Sequence, residues 1–165
     1  MSVFAPRRYV RAVTCLDLEE LWADGKRALL LDRDNTLVPR DTGVLPADVM
    51  AWLAQARERG FRLCLVSNNW AKNVLPDARA IGVQLVSAAA KPLPFAIWHA
   101  LRKVDARRRE AVLIGDQVFT DILGAKLAGI DHVLVVPQCT VDQKGGLALR
   151  DLEARVLRGL EPQEH

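Results

Sequence analysis

Five short apolar runs punctuate the chain, Ala28–Leu31, Phe61–Val66, Val83–Val86, Ala111–Ile114 and His132–Val136, with helix-like segments between them. Consecutive parallel strands need a helical crossover to bring the chain back to the same end, so this alternation predicts a parallel sheet with helices on both faces. Val49, Trp52, Leu53 and Ala56 repeat at helical spacing until Gly60. Ala71–Ile81 reads as a second helix interrupted near its middle by Pro76, and Phe95–Val104, Thr120–Ala128 and Leu147–Leu157 read as three more. Ahead of the first run, Asp17 with Glu20 three residues on predicts a short helix that Gly25 ends. Met1–Thr14 reads as an irregular basic lead, Asp142–Gly146 as a turn and residues 159–165 as a frayed tail. The whole, residues 1–165, fits one domain, with residues 1–27 as the lead and short helix.

Ligands of such sheets sit beyond the carboxyl ends of the strands, and the polar residues fall there. Asp32 and Asp34 end the first run, Ser67 the second and Asp116 the fourth, while Lys91 follows the third. Alternation along an extended backbone points Asp32 and Asp34 to one side. Two carboxylates so close repel unless a cation or a proton intervenes, which suggests either a divalent metal or an acid/base couple. Taken alone, the stretch could equally be a strand ending in a polar turn.

Composition narrows the function classes. The net charge of +3 permits an anionic substrate without demanding nucleic acid, and no basic stripe interleaved with aromatics appears. Arg107-Arg108-Arg109 reads as a solvated loop. Cys15, Cys64 and Cys139 are odd in number and contain no CxxC pair, which points to a reducing, cytoplasmic setting. The N-terminus lacks the uninterrupted apolar stretch of a signal peptide, and no run reaches membrane-spanning length. The lead carries Val3, Phe4, Arg7, Arg8, Val10 and Arg11, which could either pack on the domain or rest on an anionic bilayer.

Asp32-Arg33-Asp34-Asn35-Thr36, Ser67, Lys91 and Gly115-Asp116 through Asp121 occur in an order that closely resembles the four motifs of the haloacid dehalogenase-like (HAD) phosphohydrolase superfamily. The resemblance runs from Leu29 to about Val136 and implies a three-layer Rossmann-like α/β fold. The wording Asp-x-Asp-Asn-Thr-Leu-Val-Pro, Ser-Asn-Asn, Lys-Pro and Gly-Asp-Gln-x-x-Thr-Asp is similar to subfamily IIIA, the branch of the phosphatidylglycerophosphate phosphatases. The motif intervals, about 30 and about 20 residues, are too short for an inserted cap domain, so the site is expected to be open.

The resemblance implies a phosphomonoester hydrolase in which Asp32 is the nucleophile, forming an aspartyl-phosphate, and Asp34 the general acid and base. Mg²⁺ is expected among Asp32, the backbone carbonyl of Asp34 and Asp116. Ser67, Asn68 and Lys91 are expected to bind phosphate, although Asn68 could instead bridge backbone groups. Asn35, Thr36 and Gly115 support the loops, and Asp121 orients Lys91 or a metal-bound water, or simply caps the following helix. Trp70 is expected to line the substrate entrance. An open site suits a bulky phosphomonoester such as phosphatidylglycerophosphate. The rival reading is a non-catalytic or regulatory protein of the same fold that binds nucleic acid or ribosomes.

Overall fold

The computed structural model describes residues 4–139 and 147–164, the side chains of 147–150 apart. The expected turn at Asp142–Gly146 lies outside these residues. Six parallel strands, β1 (Arg8–Val10), β2 (Ala28–Leu31), β3 (Arg62–Val66), β4 (Gln84–Val86), β5 (Ala111–Gly115) and β6 (Asp131–Val135), form one sheet in the order β1-β6-β5-β2-β3-β4. The helices are α1 (Leu18–Ala23), α2 (Ala47–Arg59), α3 (Ala71–Ile81), α4 (Phe95–Lys103), α5 (Leu123–Ala128) and α6 (Leu147–Val156). None among the described residues is long and apolar enough to cross a membrane.

β2 is central and fully buried because a parallel strand between two neighbours and two helical layers has no solvated face. Its side chains divide by parity. Leu29 and Leu31 pack with Trp52, Leu53, Val74 and Ala78 under α2 and α3, whereas Ala28 and Leu30 pack with Ile97, Leu101, Ala125 and Ala128 under α4 and α5. The register Leu31↔Leu65 and Leu31↔Ile114 aligns the ends of β2, β3 and β5, so the residues that follow them emerge at one edge. Residues 35–66 hold a turn and α2 besides β3, and residues 68–90 hold α3 and β4, so neither interval contains an inserted domain.

Four expectations need correction. The lead is not irregular throughout, for Arg8–Val10 is an edge strand that pairs with Val133–Val135. Part of it packs inward, with Val10 buried and the Phe4 ring 5.2 Å from Phe119, while Arg7, Arg8 and Arg11 pair with Asp131, Asp24 and Glu164, Arg7 and Arg11 at the exposed surface. The end of the chain is not wholly frayed, because Gln163 donates to Tyr9 O at 2.8 Å and accepts from Arg11 N at 3.0 Å, satisfying the open side of that edge strand. Third, α3 runs unbroken through Pro76, since burial of Val74, Ala78 and Ile81 on either side outweighs one missing backbone hydrogen bond on its exposed face.

Thr120–Ala128 is likewise not one regular helix. Val118–Ile122 forms a π turn before α5 begins, and such turns concentrate at functional sites. Glu153 of α6, itself buried, accepts from the backbone N–H of Val118 at 2.8 Å and of Phe119 at 3.4 Å, capping the turn. Glu153→Ala removes this acceptor and is expected to lower the unfolding free energy by about 2 kcal/mol, read from urea titration. Glu153→Gln, which keeps one oxygen acceptor, is expected to retain at least half of that.

Candidate active site

The aligned strand ends bring Asp32, Ser67 and Asp116 together, and Lys91 reaches in from the loop after β4. Asp32 extends the β2 ladder, its N–H donating to Ile114 O at 2.9 Å. Its carboxylate is 8% exposed and accepts from Lys91 Nζ at 2.7 Å. The same ammonium donates to Asp121 Oδ1 at 2.6 Å, so Lys91 bridges two carboxylates at the bottom of the cavity. Burial pushes the Asp32 carboxyl up to about 6, with Lys91 pulling the other way and Asp121 and Asp34 adding to the rise. Burial alone would lower the Lys91 ammonium, but Asp121 and Asp32 overcome it and hold the group charged.

The loop after Asp32 is locked by its own polar groups. Asn35 adopts φ 60°, a left-handed conformation that asparagine tolerates, and its N–H donates to Val38 O at 2.8 Å. Asn35 Oδ1 accepts from Arg40 N at 3.1 Å and Cys139 Sγ at 3.0 Å, while Gln138 Nε2 donates to Thr36 O at 2.9 Å. Asn35 and Thr36 are therefore holding residues, wholly buried. Asp34 is clamped: Arg33 Nη1 donates to its Oδ1 at 2.6 Å and Asn69 Nδ2 to its Oδ2, and Arg33 Nε also reaches Asp77 at 2.5 Å.

Ser67 Oγ accepts from Asn69 N at 3.1 Å, leaving its own proton to donate. Asn68 grips the backbone of Lys91, its Oδ1 accepting from Lys91 N at 2.8 Å and its Nδ2 donating to Lys91 O at 3.3 Å. It bridges backbone groups in this way and also lines the cavity. Ala88 and Ala90, just before Lys91, both sit at positive φ (48° and 52°), a strained backbone that the surrounding contacts must hold.

One carboxylate oxygen each from Asp32, Asp116 and Asp121 lies within 4.8 Å of the others, and all three residues are buried. Three like charges this close, all hard oxygen donors, fit a divalent cation such as Mg²⁺. Asp34 adds no side-chain oxygen to this cluster, which leaves its backbone carbonyl as the possible donor expected from the sequence. Asp121 Oδ1 is occupied by Lys91, and its Oδ2 accepts from Gln117 N at 3.1 Å.

Gly115 explains how Asp121 fits. A Cβ at Gly115 would lie 2.3 Å from Asp121 Cγ and Oδ2, so only glycine lets that carboxylate cross the end of β5. Gly115→Ala is expected to displace Asp121 from Lys91 and to lower turnover about 10²-fold, the scale of an ångström-sized misplacement. The shift is to be checked by comparing kcat with the stability of the variant, expected to fall by only about 1–3 kcal/mol.

Of the expected site residues, Asp32, Asp34, Asn68, Lys91 and Asp121 line a cavity of about 210 Å³. Asn69, Arg40, Gln117 and Thr120 also line it and escaped sequence reasoning. Asn69, Gln117 and Thr120 stand inside the wordings Ser-Asn-Asn and Gly-Asp-Gln-x-x-Thr-Asp without having been given a role, whereas nothing local marks Arg40. Trp70 is 70% exposed and does not line this cavity, although it caps α3 at the same end of the sheet.

A family model described as HAD-hydrolase-like matches residues 88–138, which include Lys91, Asp116 and Asp121. The chain is 30% identical, over 98% of its length and 94% of the relative's, to a protein of Bacillus subtilis described as a probable phosphatase, YqeG. A phosphoglycolate phosphatase of Colwellia psychrerythraea is 32% identical over 54% of this chain and 43% of its own. Among solved structures, the 4-nitrophenylphosphatase of Thermotoga maritima superposes with a TM-score of 0.62 at 14% identity, over 86% of this chain and 93% of that one, a likeness of fold. With a relative matched end to end and the strand-edge carboxylates in place, the chain belongs to the HAD-like hydrolase superfamily, among its phosphatases.

Proposed function

We propose that this phosphatase is an Mg²⁺-dependent phosphomonoester hydrolase that works through an aspartyl-phosphate on Asp32. The observation that carries this reading is the buried Asp32–Lys91–Asp121 bridge at the meeting point of the three strand ends. Asp32 attacks phosphorus and the ester P–O bond breaks, the departing alkoxide taking its proton from Asp34. Water then attacks the phosphoryl-enzyme, gives its proton to Asp34 and releases inorganic phosphate with Asp32 restored. Lys91 and the Ser67 hydroxyl hold the phosphoryl oxygens as charge redistributes. Asp34 is aimed by Arg33 and Asn69, the two donors that touch its oxygens. The bound cation, held by Asp32, Asp116 and the Asp34 carbonyl, would supply charge neutralisation between nucleophile and dianion.

The proposed substrate is a phosphomonoester whose body remains outside, with phosphatidylglycerophosphate the candidate that the subfamily IIIA motif wording favours. Exposed apolar residues support it: Trp70 follows Asn69, and Leu93 and Phe95 follow Lys91, at 70%, 51% and 66% exposure. The test is phosphate release from p-nitrophenyl phosphate, phosphatidylglycerophosphate, sugar phosphates, nucleotides and a phosphopeptide, each with Mg²⁺ or EDTA. The expected result is turnover that EDTA lowers by about 10²-fold or more. Rates equal to the buffer background on every substrate would overturn the proposal.

A further inference from the structure

The cavity's cations are unequal. Lys91 is committed to Asp32 and Asp121, and Arg33, which flanks the site, is committed to Asp34 and Asp77. Arg40 lines the cavity and is half-buried, yet among the described residues its guanidinium has no ion pair and no side-chain hydrogen bond. The carboxylates nearest the chemistry do not neutralise it, because Asp34 is held by Arg33 and Asn69 and Asp32 by Lys91. Its backbone is fixed all the same, since Arg40 N donates to Asn35 Oδ1 in the buried loop that carries Asp32 and Asp34. A planar fork of donors, anchored at its root and uncommitted at its tip, is suited to an incoming anion.

The position of that anion follows from the competition around it. The scissile phosphate belongs beside Asp32 and Lys91, and a guanidinium meant for the same oxygens would stand against Asp32, as Lys91 does. Arg40 instead stays apart from both aspartates, with the neutral side chains of Gln117 and Thr120 elsewhere on the wall. We propose that Arg40 binds a second anionic group of the substrate, so that the enzyme selects phosphomonoesters carrying a carboxylate or a phosphodiester within a few bonds of the scissile phosphate. The inference rests on the phosphatase reading for the identity of the first group. It adds the charge of the remainder.

The test separates the two readings by measuring binding apart from turnover. In Asp32→Asn protein with Mg²⁺ present, calorimetry compares two pairs: 2-phosphoglycolate against 2-hydroxyethyl phosphate, and glycerophosphoglycerol phosphate against glycerol 3-phosphate. In each pair only the first member carries the second anion, a carboxylate in one and a phosphodiester in the other. In at least one pair the anionic member is expected to bind about tenfold or more tighter, the scale of a charge-assisted hydrogen bond. Adding Arg40→Ala is expected to erase that preference, and Arg40→Lys to keep part of it. The pair that responds identifies the anion. No preference in either pair, or a preference that survives Arg40→Ala, overturns the proposal. Turnover of the unsubstituted enzyme on the same compounds tests the phosphatase reading separately, and its failure would leave the binding result standing.

Discussion

Asp32→Asn is expected to lower turnover of every phosphomonoester by about 10⁴-fold or more, the scale seen when a nucleophile is removed, without costing the protein stability. The two halves of that expectation have one cause. Asp32 is buried among other carboxylates, and its carboxyl is raised to about 6 chiefly by burial. A carboxyl that titrates higher folded than unfolded weakens the fold wherever it must be ionised, so the penalty grows as pH rises from 3.8 through about 6 and is fully present at pH 8. Asparagine is nearly isosteric and neutral, and Lys91 keeps Asp121 as its partner. In EDTA at pH 8 the variant is therefore expected to unfold at an equal or higher urea concentration than the parent, with the advantage gone at pH 4. A loss of more than about 2 kcal/mol at pH 8 would contradict this account. Stability given up at a site that needs a destabilised carboxylate is a recurrent trade in enzymes.

Lys91→Met is expected to do the reverse on the stability side. Methionine fills much of the volume but removes the ammonium that bridges Asp32 and Asp121, whose Lys91 partner is 2% exposed at its side chain. Breaking a buried ion pair by deleting one member leaves uncompensated charge, at a cost of about 3–5 kcal/mol. In EDTA the variant is expected to lose that much in urea titration. Mg²⁺ is expected to return part of it by binding the carboxylates, a gain that should grow with the logarithm of its concentration. Turnover is expected to fall about 10³-fold even in saturating Mg²⁺, because an electrostatic stabiliser of the phosphoryl oxygens has gone. Equal stability of Lys91→Met and the parent in EDTA would mean that the bridge does not hold the site together.

Much of the architecture was legible because parallel α/β sequences write their layers locally. The run Ala28–Leu31 has the same limits in the sequence and in the structure, and Gly60 and Gly82 end α2 and α3 with the left-handed residue that such ends favour. Asp32, Ser67, Lys91 and Asp116 could be assigned to one end because strand ends must coincide in a parallel sheet. What stayed hidden depends on partners far away in sequence. β1 is three residues long, too short for any periodicity, and exists because β6 offers it an edge. The π turn depends on Glu153, 35 residues beyond Val118. Arg40 carries no local mark either, since it takes its meaning from what already occupies Asp34 and Lys91.

The cap on the π turn also ties the chemistry to a helix far along the chain. Lys91 takes one of its two carboxylate partners from a turn whose first amides are closed by a residue of α6. A nascent chain released only as far as α5 thus has every side chain of the Asp32–Lys91–Asp121 bridge outside the ribosome and lacks the acceptor that closes the turn carrying Asp121. The last helix thus acts as a latch on the turn that brings Asp121 to Lys91.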